Sequence, residues 1–260
     1  MQSQYYKVLK ISIRELTESK IKELYFNNLK LKLVIGFVSP HLDFKEVAFK
    51  IKNYLPYDTT LILTSTAGEL CTFNGTERLN KLYLNANGTW DTIILSGYSE
   101  LMFDDIFVAT FDLGPKELTM DEKIKYIETK LSEVKIPFNI DYKDTIAYTL
   151  IDGLSSAESF FMEAVYNTGK FPCIFVGGSA GGKLDFKNTY IFNNQKVVQN
   201  SAIVTFMKLN NNIQFGIFKS QNFSKTSYKF DILEADPIKR TVKTILDKKT
   251  LSSKVSLKNL

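Results

Sequence analysis

Apolar residues fall at helical spacing in five stretches, and most of the remaining chain reads as runs of β-branched and aromatic residues. Between Ser12 and Asn28, the positions of Leu16, Ile21, Leu24 and Tyr25 predict a first helix. Residues 29–38 predict a buried strand that Pro40 ends. Asp43 is placed to cap a second helix, with Glu46 completing a capping box; Val47, Ala48, Ile51 and Leu55 form its apolar stripe and Pro56 stops it. Residues 59–66, TTLILTST, predict a second buried strand, so the first 66 residues read as a βαβ unit.

Strands are then expected over Leu79–Leu84, Trp90–Tyr98 and Ile106–Leu113, with Asn87-Gly88 as a hairpin signal. A helix over Met120–Lys135 carries Ile124, Ile127 and Leu131 on one face. A central strand follows at Asp144–Asp152. Next comes a helix over Ser155–Asn167, which Ser155 caps, Glu158 answers and Gly169 ends. A further strand runs through Phe175 and Val176 into a glycine turn. Tyr190–Phe192 and Val197–Val198 flank a hairpin turn at Asn193–Lys196. Strands are expected at Ala202–Leu209, Ile213–Ser220 and Tyr228–Leu233. Asp236-Pro237 opens a last helix striped by Ile238, Val242, Ile245 and Leu246. The fold class is therefore mixed α/β: two mainly mixed or antiparallel sheets flanked by helices, compatible with an αββα layering. The two halves echo each other as strand, helix, strand and a turn of small residues.

Charge narrows the partners. The net charge is +5, but residues 239–260 hold seven basic residues against Asp247 alone, which leaves the body near neutral. That pattern provides no broad face for nucleic acid. No apolar run is long enough to span a membrane, and the N-terminus lacks the apolar core and cleavage site of a secretory leader. Cys71 and Cys173 fit no metal or disulfide spacing and read as buried thiols of a reducing compartment, which points to the cytoplasm.

Candidate chemistry gathers at three strand ends. The first is Ser65-Thr66-Ala67-Gly68-Glu69. The second is Asp152-Gly153-Leu154-Ser155-Ser156, where Asp152 could orient an amine and the helix start offers N–H donors. The third is Gly177-Gly178-Ser179-Ala180-Gly181-Gly182, four glycines in six residues. This last segment reads either as a turn needing positive φ or as a pocket wall whose amides hold a carboxylate or phosphate. It lacks the Lys-Ser/Thr ending of a phosphate loop and the order of a dinucleotide fingerprint. The single histidine, His41, makes a Ser-His-Asp hydrolase a poor fit, since a serine nucleophile needs a base within reach. His41 is a surface or cap residue, or the one available haem ligand; no metal site is expected.

Read together, DGLSSAESFFMEAV, IFVGGSAGG and NTYIFNNQKVVQNSAIVTF resemble the N-terminal sensory domain of the FIST family, and VIGFVS and STAGEL resemble that domain's first half. The likeness spans residues 29–235. Residues 1–28 are expected as a helical lead-in, and 236–260 as the start of a FIST C-terminal domain or a basic helical tail. The resemblance implies a non-enzymatic signalling input module of the kind found in bacteria beside kinases and chemotaxis receptors. Its ligand would be small, with amino acids the usual class. Its pocket would be built from Ser65, Thr66, Ala67, Gly68, Glu69, Asp152, Ser155, Ser156, Gly177, Gly178, Ser179, Ala180 and Gly181. No cofactor is expected unless His41 binds haem, as in family members that sense nitric oxide. Two alternatives stay open beside this reading: an enzyme on a layered α/β scaffold, and a scaffold protein working through its basic tail.

Overall fold

The computed structural model describes residues 3–70, 83–85, 90–218, 224–236, 241–248 and 252–255. Cys71, the Asn87-Gly88 signal and the first residues of the expected 79–84 strand lie outside them. The chain divides into two compact units, Met1–Gln214 and Phe215–Leu260.

In the first unit, β1 (Tyr6–Ser12), β2 (Leu31–Val38), α2 (Phe44–Tyr54) and β3 (Thr60–Ser65) are followed by the short pair β4 (Gly68–Leu70) and β5 (Tyr83–Asn85). Then come β6 (Thr92–Ser99), β7 (Phe103–Asp112), α3 (Met120–Glu133), β8 (Thr145–Asp152), α4 (Glu158–Thr168), β9 (Ile174–Ala180), β10 (Ile191–Asn193), β11 (Val197–Val198) and β12 (Ser201–Leu209). One sheet has the order β1-β6-β2-β3-β10-β11, the other β7-β12-β8-β9. In the first, β2 and β3 are parallel and β6 runs antiparallel to β2. In the second, β8 and β9 are parallel and β12 runs antiparallel to β8. The two halves thus share one arrangement, an antiparallel strand beside a βαβ pair.

Alternation decides the layers. Val34, Val38, Leu61, Leu63, Ile93 and Leu95 face α2, which contributes Phe44, Val47, Ala48 and Ile51. Ala147, Ile151, Ala202, Val204 and Phe206 face α3 and α4, which contribute Ile124, Ile127, Leu131, Phe161 and Ala164. The intervening positions, Leu33, Ile35, Ile62 and Ile94 in one sheet and Leu150, Ile203 and Thr205 in the other, are also buried. They form the faces that the sheets turn to each other, tied at one point by Asn193 Nδ2 donating to Thr110 Oγ1 at 2.8 Å. This is an αββα sandwich, the expected class. Asp43 caps α2 by accepting from the Glu46 amide, and Gly169 closes α4 with φ 55°.

Four expectations are corrected. The helix over Ser12–Asn28 is broken into a 3-10 turn at Ile13–Glu15, one turn of helix, α1 (Glu18–Ile21), and a second 3-10 turn at Lys22–Leu24; the start of the chain is β1, held by pairing with β6. Leu16, Ile21 and Leu24 are buried, but the first two are five positions apart, more than one helical turn. Ser155 does not cap α4, which begins at Glu158 after Ala157. Its hydroxyl instead donates to the Asp152 carbonyl at 2.6 Å. No strand forms over residues 213–218. The expected last helix is absent: in the second unit Val242, Ile245 and Leu246 belong to β14 (Thr241–Asp247), between β13 (Phe230–Asp236) and β15 (Ser252–Val255). The β-branched residues Thr241, Val242, Thr244 and Ile245 suit a ladder, and β13 supplies the cross-strand partner that an i, i+3, i+4 count leaves out.

Phe206 is fully buried with its ring 5.2 Å from that of Phe171. Phe206→Ala is expected to cost about 3–5 kcal/mol, read as a lowered urea midpoint.

Candidate functional site

The parallel pairs end side by side. Ser65 closes β3 and Ala180 closes β9, and the backbones meet directly: Gly181 N donates to Ser65 O at 3.0 Å, and Ser65 Oγ donates to Gly181 O at 2.6 Å. The same hydroxyl accepts from Tyr190 N at 2.8 Å. Glycine is required at this contact. A Cβ on Gly181 would lie 2.5 Å from Ala67 N, and one on Gly153 would lie 2.2 Å from Ala180 O. Gly177 is also constrained, since its Cβ would fall 1.8 Å from Thr149 O. Gly177 and Gly178 are part of β9, so the expected glycine turn shrinks to Gly181 and Gly182.

A cleft of about 550 Å³ opens beside this junction, between the inner faces of the two sheets. Ser65, Thr66, Ala67 and Gly68 line it from one side, and Gly177, Gly178, Ser179 and Gly181 from the other. Phe37, Tyr148, Leu150 and Val176 supply its apolar and phenolic surface. Eight of the expected site residues are thus brought together. The sequence reading missed Phe37, Thr64, Tyr148, Leu150 and Val176; their signal was the two-residue step along β2, β3, β8 and β9 that puts them on the face shared with the cleft.

The other expected residues lie outside the lining. Asp152 is buried, and its carboxylate accepts from Leu154 N at 3.0 Å, from the Thr189 hydroxyl and from Asn200 N. Those three donors make it a pin between β8, the segment before β10 and the start of β12. Ser155 is bound to that same turn, and Ser156 holds a left-handed φ of 54°. Glu69, 3 % exposed, accepts from Thr66 Oγ1 and, at 2.6 Å, from Trp90 Nε1. Burial pushes its carboxyl above the usual 4.5, partly offset by those two donors. His41 packs edge-on against Trp90, ring centroids 4.7 Å apart, and is not among the cleft residues.

Among the described residues the cleft is lined by no charged side chain. Its hydroxyls are largely committed: Ser65 to Gly181, Thr66 to Glu69, and Ser179 Oγ to Glu158 Oε1 at 2.7 Å. Tyr148 is the exception, with no hydrogen bond from its hydroxyl among the described residues. Burial pushes that phenol up to about 12, so it stays protonated at neutral pH. Its register partner on β12, Thr205, carries a buried hydroxyl that also lacks a partner.

The FIST N domain model matches residues 32–248. The chain belongs to the FIST family. FIST domains are small-ligand sensory domains of signalling proteins. No curated protein matches the chain. Among the described residues no helix is long and apolar enough to cross a membrane.

Gly181→Ala is expected to lower stability by about 1–3 kcal/mol through the clash with Ala67. Gly178→Ala, whose added Cβ meets nothing within 4 Å, should stay within about 0.5 kcal/mol. Thermal midpoints of the two variants check the contrast. Glu69 makes a pH prediction. Its folded-state value lies above the unfolded one, so its contribution is fully present below about 4.5 and is lost as pH rises through the folded value. The stability of the wild type minus that of Glu69→Gln should therefore decline on going from about pH 4 to 7 in urea titrations; a flat difference would show that burial does not perturb the group.

Proposed function

We propose that this FIST domain binds a small polar molecule of amino-acid size in the cleft between β3 and β9, and that it acts by binding rather than by catalysis. The observation that carries the reading is the convergence of two strand ends of small residues on one neutral cleft. Tyr148 leaves an uncommitted hydroxyl at the cleft's phenolic side, and a ligand carbonyl or carboxylate would accept from it where an apolar ligand would not. Commitment of the Ser65 hydroxyl to the Gly181 carbonyl, which cannot take its proton, supports binding over nucleophilic chemistry at that residue. The output is a signalling protein such as a kinase or chemotaxis receptor, which rests on family membership. A bacterial setting rests on the family, and a reducing, cytoplasmic one accords with Cys173, a free thiol that burial raises to about 11.

Calorimetric titration with a panel of amino acids tests this. One or more members should bind. Tyr148→Phe should weaken that binding about fivefold, the worth of one hydrogen bond of about 1 kcal/mol. Gly178→Val, which fills the cleft from β9, should weaken it tenfold or more without moving the thermal midpoint by more than a few degrees. No heat from any panel member, or affinity indifferent to both substitutions, would reject the proposal.

A further inference from the structure

β9 is the end strand of its sheet, hydrogen-bonded to β8 alone among the described strands. Val176, Gly177, Gly178 and Ser179 are all exposed. An open edge of this kind is a template for another strand, and proteins usually blunt it with lysine, proline or a bulge. The β9 sequence IFVGGSA has neither residue, and its register with β8 runs unbroken from Ile174 to Ala180.

The same four residues have a hollow on each face. Toward the other sheet lies the neutral cleft with Phe37, Tyr148 and Leu150. Toward α4 lies a second groove of about 320 Å³, with Thr149, Ile151, Glu158, Met162 and Phe175 in its lining. Val176 and Gly178 share register and face with Tyr148 and Leu150; Gly177 and Ser179 share theirs with Thr149 and Ile151. Small side chains at 177–179 leave both hollows open. A strand laid along this edge would send successive side chains alternately over one hollow and the other.

The hollows also say what such a strand should carry. The β9 edge of a second copy would bring valine, two glycines and serine, too little volume for either space. Among the described residues Glu158 is the one side chain lining the two hollows that is charged at neutral pH, and it stands on the α4 side. We propose that β9 pairs with an extended segment of a partner protein in which a large apolar residue enters the neutral cleft and an adjacent lysine or arginine lies in the α4 groove. The aliphatic stem of that basic residue would cover Met162 and Phe175, and its cation would reach Glu158. The pairing does not rest on the small-ligand reading. The two share the neutral cleft, however, so a bound ligand would exclude the partner's apolar side chain, one direct way for a sensor to report occupancy.

The test uses the full chain and the blocked hexapeptide acetyl-Ser-Thr-Phe-Lys-Thr-Ser-amide, with no small ligand present, so its outcome is independent of the amino-acid titration. Saturable binding is expected, together with slowed amide exchange within Val176–Ser179. Exchanging the peptide's lysine for glutamate should weaken binding tenfold or more, and Glu158→Gln should abolish most of that discrimination. Methylating the peptide's backbone nitrogens should remove binding. No saturable binding, binding without added protection at β9, or equal affinity for the lysine and glutamate peptides would each overturn the proposal. So would concentration-dependent dimerisation of the chain that itself protects β9, because the edge would then belong to a second copy.

Discussion

Two strand ends, one from each sheet, are held backbone to backbone at Ser65 and Gly181, and the site depends on that contact. A side chain at Gly181 would run into Ala67, so the junction can close only where one partner has no Cβ. The serine hydroxyl completes it by donating to the Gly181 carbonyl while accepting from the Tyr190 amide. A residue that looks like a candidate nucleophile is thereby a structural clasp. Because the sheets are pinned at these ends, the spread between their inner faces beside the pin becomes a defined cleft.

What fills the remaining valences separates framework from site. Asp152 and Glu69 are buried carboxylates, which are tolerated only when donors surround them. Asp152 has three donors and knits together segments far apart in sequence, and Glu69 has Thr66 and Trp90. Both are occupied in holding the walls. The groups left to meet a ligand are the Tyr148 phenol and a mixed apolar and glycine surface, which suits recognition by shape and a few hydrogen bonds. The glycines in β9 serve a different purpose from Gly181: they thin an edge strand so that both of its faces stay hollow.

Much of this was legible from residue order. The period-2 and period-3.6 patterns located β2, α2, β3, α3, β8, α4 and β12, since each buries a face long enough to show its repeat. The echo of small residues at 65–69 and 177–182 anticipated that the two halves are built alike. Where the reading failed, the deciding partner lay far away in sequence. β1 is a strand because β6 pairs with it, and Val242 to Leu246 form a strand because β13 lies alongside.

Residue order by itself determined the layered α/β class, the family, and the need for glycine at the strand ends, because each of these follows from local pattern and backbone sterics. Only the tertiary structure decided which small residues share a cleft, that Asp152 and Ser65 are spent on the framework, and that Phe37, Tyr148 and Leu150 form the cleft's surface. The reason is physical. Hydrogen-bond satisfaction and the facing of two sheets are properties of groups from separate segments, and a pattern read along one segment carries no record of what stands across from it.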